Sequence, residues 1–311
     1  MKKFILYTFK IILITIIVFI GFVTLFADGK TDPYYLNVTS PKANSLILGS
    51  SRGARGLMPS VFNQSILGQE NRMQNFAFTM VYSPYGPNYL KAIKEKLRKT
   101  STHGLFILEV SPIVLSTDIE NVNDAQKEFV EQDTFIGNLK SYTAKPNLEY
   151  IVRFYNEPFF KIFTNKFFNK EVTLHPDGWL HINVPLDEKS IQQRTSERVN
   201  FYNQQFAKNK FSPLRFQFLK ETIEYLSQYG QVYLVRLPVA NEIHLLESEY
   251  MPDFDQKMTQ LSSQYHIDYF NFTDHASNYK TVDGDHLAIE DAHLVSSQIL
   301  KNIDQRLTLK D

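Results

Sequence analysis

Three side chains near the two ends of the chain have the types and surroundings needed for nucleophilic catalysis. In "LILGSSRGARGL" an apolar run, Leu46–Leu48, stops at Gly49 and is followed by Ser50 and Ser51, with Arg52 and Arg55 close behind. A serine hydroxyl is a weak nucleophile until a base takes its proton. Near the C-terminus, "VDGDHLAIEDAHL" sets Asp283 three residues before His286. On a loop, that spacing lets the carboxylate hold the imidazole in one tautomer and stabilise its cation, leaving the other ring nitrogen to take a proton from a hydroxyl. Each half also has a plainer reading. Gly-Ser-Ser is common in loops, and Asp-Gly-Asp is a common turn in which Asp283 or Asp285 caps the following helix. Taken together, each after a strand, they point to a triad of Ser51, His286 and Asp283.

Arg52 and Arg55 are either solvated surface charges or guanidinium groups that hold an anionic part of a substrate beside the nucleophile. His103, His175, His181, His244, His266, His275 and His293 show no metal-ligand spacing, and no glycine-rich phosphate loop is present. The sequence therefore implies no metal and no cofactor.

A triad split between residues 51 and 286 needs a fold that brings both to one edge. Strand and helix signals alternate along the chain, which favours a parallel sheet covered by helices. The expected strands are 45–49, 73–78, 105–110, 231–237 and 267–272. The third, "LFILEV", is a near-continuous apolar run suited to a central parallel strand. Helices are expected over 88–99, over 212–230 with Pro213 early and Gly230 at its end, and over 289–307, where Ala292, Val295, Ile299, Ile303 and Leu307 share a face. Ser51 then lies at the C-terminal end of the first strand, the edge where parallel sheets place their active sites. Residues 119–205 break the rhythm. They are aromatic-rich, hold Trp179, the single tryptophan, and form either a lid over the site or a packing elaboration.

The chain has 311 residues, no cysteine, and 33 basic against 33 acidic residues. The balanced charge argues against a nucleic-acid partner, and the missing cysteines exclude disulfides and thiolate chemistry. At the N-terminus, "IILITIIVFIGFVTLFA" (Ile11–Ala27) carries no charge, and the apolar stretch extends upstream to Phe4 around Lys10. About 20 apolar residues cross a bilayer. A cleaved signal peptide would have a shorter apolar region and a small residue where Leu25 stands, so residues 1–27 are expected to be a retained transmembrane anchor. Lys2, Lys3 and Lys10 place the leading end in the cytoplasm. The polar stretch 28–42 reads as a linker, and 43–311 as an extracytoplasmic domain on the cell membrane.

"LILGSSRGARGLMPSVF" resembles the first block of the SGNH (GDSL-type) hydrolase superfamily, and "DGDHL" resembles its last block, Asp-x-x-His. The resemblance covers about residues 43–115 and 212–305. It implies a flavodoxin-like three-layer α/β/α sandwich, with Ser51 as nucleophile, His286 as base and Asp283 as orienting acid. It is strongest to the membrane-anchored branch that includes proteins of alginate O-acetylation and of teichoic-acid D-alanylation. That branch implies a serine O-acyltransferase or esterase acting through an acyl-enzyme. Its partners would be an envelope glycan or acyl donor and a membrane-embedded acyltransferase. The family builds its oxyanion hole from the serine N–H, a second-block glycine and a third-block asparagine. Here Thr79 stands where the glycine is expected and Gly86 comes seven residues later; no Gly-x-Asn-Asp follows the third strand, and Asn123-Asp124 come late. Asn75, Thr79 and Ser111 remain as candidate donors or substrate contacts. The same departures favour the alternative, a binding or assembly protein that keeps the fold but not the chemistry.

Overall fold

Alternating apolar residues on parallel strands must be covered on both faces, and the sheet follows from that. The computed structural model describes residues 1–64, 72–100 and 103–308, with side chains to residue 306. Five strands, β1 (Ser45–Leu48), β2 (Met73–Asn75), β3 (Gly104–Glu109), β4 (Gly230–Arg236) and β5 (Asp268–Asn271), form one parallel sheet. Their order is β2-β1-β3-β4-β5, with Leu46 beside Phe106 and Ile107 beside Tyr233. The chain therefore leaves β1 towards one edge and later returns to the other, so the order reverses beside β1.

The helices are α1 (Lys2–Phe26), α2 (Ser51–Gly56), α3 (Pro87–Lys96), α4 (Phe160–Phe168), α5 (Glu188–Lys208), α6 (Pro213–Ser227), α7 (Asn241–Tyr250), α8 (Phe254–Tyr265) and α9 (Ile289–Thr308), besides shorter turns. Leu46, Leu48, Phe106, Leu108, Val232 and Leu234 face a core made with α3, α6 and α8 through Ile93, Ile223 and Met258. Ile47, Leu105, Ile107 and Val235 face the opposite core, closed by Ala292, Val295, Ile299 and Ile303 of α9. Helices thus cover both faces. The side chain of Leu307, expected on the same stripe, lies outside the described residues.

All five expected strands are present, with ends shifted by one to three residues. β2 is the shortest, although the chain beyond it stays beside β1: the Phe76 N–H donates to Ile47 O at 2.8 Å and the Phe78 N–H to Gly49 O at 3.3 Å. Inside the stretch read as irregular, α5 runs for 21 residues, started by Asp187, whose carboxylate accepts the Ser190 N–H. A hairpin, Val172–Leu174 with Leu180–Ile182, also lies in this stretch.

Helix α1 is long and apolar enough to cross a membrane. Residues 1–18 are exposed, whereas Val23 is fully buried. Phe19 packs on Phe159 at 5.2 Å between ring centroids, and Phe26 packs on Phe163 at 5.2 Å. Residues 28–42, expected to be a linker, are not a free tether. Tyr35, Asn37, Val38 and Thr39 are buried. The ammonium of Lys96 at the end of α3 donates to Asn37 O and Ser40 O at 2.8 Å each and to Tyr142 O at 3.1 Å. The stretch looks polar because its backbone carbonyls, not apolar side chains alone, attach it to the domain.

Candidate active site

Gly49 ends β1 with a φ of +130°, and a Cβ there would stand 2.6 Å from the Cβ of Glu109. Only glycine lets the chain turn so close to β3. Ser50 follows as the N-cap of α2: its Oγ accepts the Arg52 N–H at 3.3 Å. Its N–H and hydroxyl donate to Glu109 Oε2 at 2.7 and 2.8 Å. Burial pushes the Glu109 carboxyl up, against the pull of Arg52 and the two Ser50 donors. Ser50 is thereby committed to the fold, and Ser51 begins the helix with its side chain turned the other way.

At the opposite end of the chain, Gly284 (φ +80°) makes the turn Asp283–His286 possible. One carboxylate oxygen of Asp283, Oδ1, accepts the N–H groups of Asp285 and His286 at 3.0 and 2.8 Å. The other, Oδ2, is 2.8 Å from His286 Nδ1. Both jobs require the three-residue spacing. His286 Nε2 is 2.9 Å from Ser51 Oγ. The structure thus brings the three expected residues into one hydrogen-bonded line, at the C-terminal ends of β1 and of the segment after β5.

The electrostatics suit a resting state with neutral imidazole beside an ionised carboxylate. Burial lowers the His286 pKa below its ordinary 6.5, and Arg55 adds to this; Asp285 and Asp283 oppose it. For Asp283, burial acts upwards, but His286 and Arg55 outweigh it and hold the carboxyl well below the usual range. The Nδ1–H then donates to Asp283, and Nε2 is free to accept the Ser51 proton.

Arg52 and Arg55 part company for a helical reason. Residues i and i+4 share a face, whereas i and i+1 do not. Arg55 therefore lies on the Ser51 side, with its guanidinium 3.7 Å from Asp283 Oδ2. Arg52 points into the protein. Both expected readings of Arg52, solvated charge and substrate grip, are corrected: it is 3 % exposed. It pairs with Asp285 at 2.7 Å and Glu247 at 2.7 Å, and donates to the Tyr202 hydroxyl at 3.0 Å. Asp285 in turn accepts from Tyr202 at 2.9 Å. Arg52 is therefore a strut behind the triad loop.

Asn75 is corrected as well. Its amide nitrogen donates to Gly53 O at 2.9 Å and Leu57 O at 3.0 Å, tying off the C-terminal carbonyls of α2. It is not directed at a substrate. The Thr79 hydroxyl accepts the Val81 and Tyr82 N–H groups at 3.2 Å each, closing a turn. The Ser111 side chain is fully buried. Of the residues considered as oxyanion donors, Asn75 is thus committed to the backbone around α2. The Ser51 N–H remains, one of the first-turn groups that a helix leaves without an internal acceptor.

Sequence reasoning missed the groups that surround the line. Helix α5 supplies Tyr202, Arg198, 3.4 Å from Asp283 Oδ2, and Arg194, which donates to Val282 O at 2.9 Å. The hairpin supplies Trp179, whose indole N–H donates to Arg55 O at 2.8 Å. Parts of 119–205 therefore do lie over the C-terminal edge of the sheet. An open cleft lined by Arg194, Glu197, Arg198, Phe201 and Asp283 leads to the triad acid. The acid Glu109 at the end of an otherwise apolar strand was the one visible signal of a buried polar contact there. No family model matches the chain, and no curated protein matches it in sequence.

Proposed function

We propose that this chain is a membrane-anchored serine O-acyltransferase or esterase of the SGNH type, acting on cell-envelope polysaccharide. The observation that carries the proposal is the unbroken line Ser51 Oγ–His286–Asp283, with hydrogen bonds of 2.9 and 2.8 Å. The strand order β2-β1-β3-β4-β5 supports a flavodoxin-like reading, in which sites form at the carboxyl ends of strands where the order reverses. Ser51 follows β1 at that place.

In the proposed reaction, Ser51 Oγ attacks an acyl carbonyl while His286 Nε2 takes its proton. Asp283 stabilises the imidazolium, and the Ser51 N–H faces the oxyanion. Collapse releases the alcohol, which His286 protonates, and leaves an acyl-serine. A sugar hydroxyl or a water, deprotonated by His286, then attacks the acyl group; the acyl–Ser51 bond breaks and His286 returns the proton to Ser51 Oγ, so the first outcome is transfer and the second hydrolysis.

The N-terminal helix is read as an uncleaved single-pass anchor. Lys2, Lys3 and Lys10 hold its start in the cytoplasm, so residues 28–311 lie outside. The packing of Phe19 on Phe159, which precedes α4, and of Phe26 on Phe163 of α4 supports retention, because cleavage would strip those aromatic faces.

A fluorophosphonate serine probe tests the chemistry. The wild type is expected to be labelled and Ser51→Ala not. Absence of wild-type labelling would sink the proposal. It would favour the second reading, a binding or assembly protein that grips a glycan or a membrane acyltransferase. The commitment of the Asn75 amide to backbone carbonyls is what keeps that reading in view.

A further inference from the structure

Helix α4, "FKIFTNKFF", presents more apolar surface than a water-facing helix should. Phe159, Phe160, Phe163, Phe167 and Phe168 are 43–73 % exposed, while Ile162 on the other side is fully buried. Exposed apolar patches of this kind mark contact surfaces. The patch is continuous with α1: Phe19 meets Phe159, and Phe26 meets both Phe163 at 5.2 Å and Phe167 at 6.3 Å. Lys166 ties α4 to the end of α1 by donating to Leu25 O at 2.6 Å. Lys161 and Lys170 flank the patch.

Depth follows from helix geometry. A hydrocarbon core of about 30 Å at about 1.5 Å per residue takes about 20 residues. Counted from Phe4, the core reaches to the neighbourhood of Val23; counted from Ile11, it reaches past Phe26. On either count Phe19 and Phe22 lie within the hydrocarbon or at its margin. The phenylalanines of α4 packed on that end of α1 must sit at the same level.

We propose that α4 is an interfacial membrane helix. Its phenylalanines enter the leaflet on the domain's side of the bilayer, and Lys161 and Lys170 reach its headgroups. An amphipathic helix with aromatic residues on one face and lysines at its flanks has the composition for that position. The inference rests on α1 crossing the bilayer, as proposed above. The domain would then be held at two points, α1 and α4, rather than swinging on one.

The absence of cysteine allows one nitroxide label per variant. The full-length chain in lipid nanodiscs would carry the label at Phe160→Cys or Phe168→Cys. Ile14→Cys in α1 serves as the reference within the span, and Leu245→Cys, at an exposed position of α7, as the aqueous one. Collision with oxygen reports hydrocarbon, and collision with a water-soluble nickel chelate reports water. The oxygen-to-nickel ratio at 160 and 168 is expected to be several-fold above that at 245 and below that at 14. Ratios at 160 and 168 equal to that at 245, with 14 still in lipid, would overturn the proposal and leave the patch to a protein partner. An aqueous ratio at 14 would instead overturn the anchor, and the inference with it.

Discussion

Ser50 and Ser51 bond to different partners, the first to Glu109 and the second to His286. Neighbouring serines should therefore respond differently to the same substitution. Groups that act as a unit are non-additive. Ser51→Ala, His286→Ala and the double variant are expected to lose the same activity towards a chromogenic acetyl ester, roughly four to six orders of magnitude. Ser50→Ala should keep most of the activity but melt earlier, because Glu109 loses a donor. A double variant markedly worse than either single one would show that the two side chains do not work together. The pH profile gives a second test. His286 must be neutral to take a proton, so activity falls as pH drops through its pKa, which burial and Arg55 place below 6.5. Arg55→Gln removes a positive charge that opposes protonation. The acid limb of kcat/KM is then expected to move to higher pH, whereas a purely structural Arg55 would leave it in place. Ser51, His286 and Asp283 were legible in the sequence because local spacing sets the Asp283–His286 pair and Ser51 directly follows a strand signal. Arg52 was not, since its direction depends on where α2 begins. The roles of Tyr202, Arg198 and Glu247 depend on contacts across more than 80 residues of chain, which no local pattern reports.

At the scale of elements, the triad loop is braced from behind by α2, α5 and α7. Arg52 of α2 pairs with Asp285 of the loop and with Glu247 of α7, and Tyr202 of α5 completes the group. Removing one member of a buried charge pair leaves the others uncompensated, at a cost of about 3–5 kcal/mol. Arg52→Gln is therefore expected to lower stability by about that amount, measured by denaturant unfolding of the detergent-solubilised chain. A variant as stable as the wild type would return Arg52 to the status of a substrate contact. The parallel strands were legible because both their faces are apolar, and α9 because its stripe repeats along one face. Helix α5 was not: among the residues within it, Tyr202 alone is buried, so no apolar stripe marks it. It is held through polar contacts such as Arg194 to Val282 O and Tyr202 to Asp285.

For the whole molecule, the lysines in the first part of α1 and the packed domain after it make one testable statement about sidedness. Protease added to intact spheroplasts is expected to digest the domain, and complete protection would reverse the orientation. The segment between anchor and domain has a consequence of its own. Tyr35 and Val38 are buried, and Lys96 grips the carbonyls of Asn37 and Ser40. Such a joint behaves as a rigid stalk and not as a leash. An enzyme on a leash sweeps a volume and finds its target by search. With α1 in a bilayer, one on a stalk has a fixed working height, and only groups that thermal motion carries to that plane are within reach. Lengthening the joint with a flexible insert at residue 28 would trade that fixed plane for a larger, more dilute range.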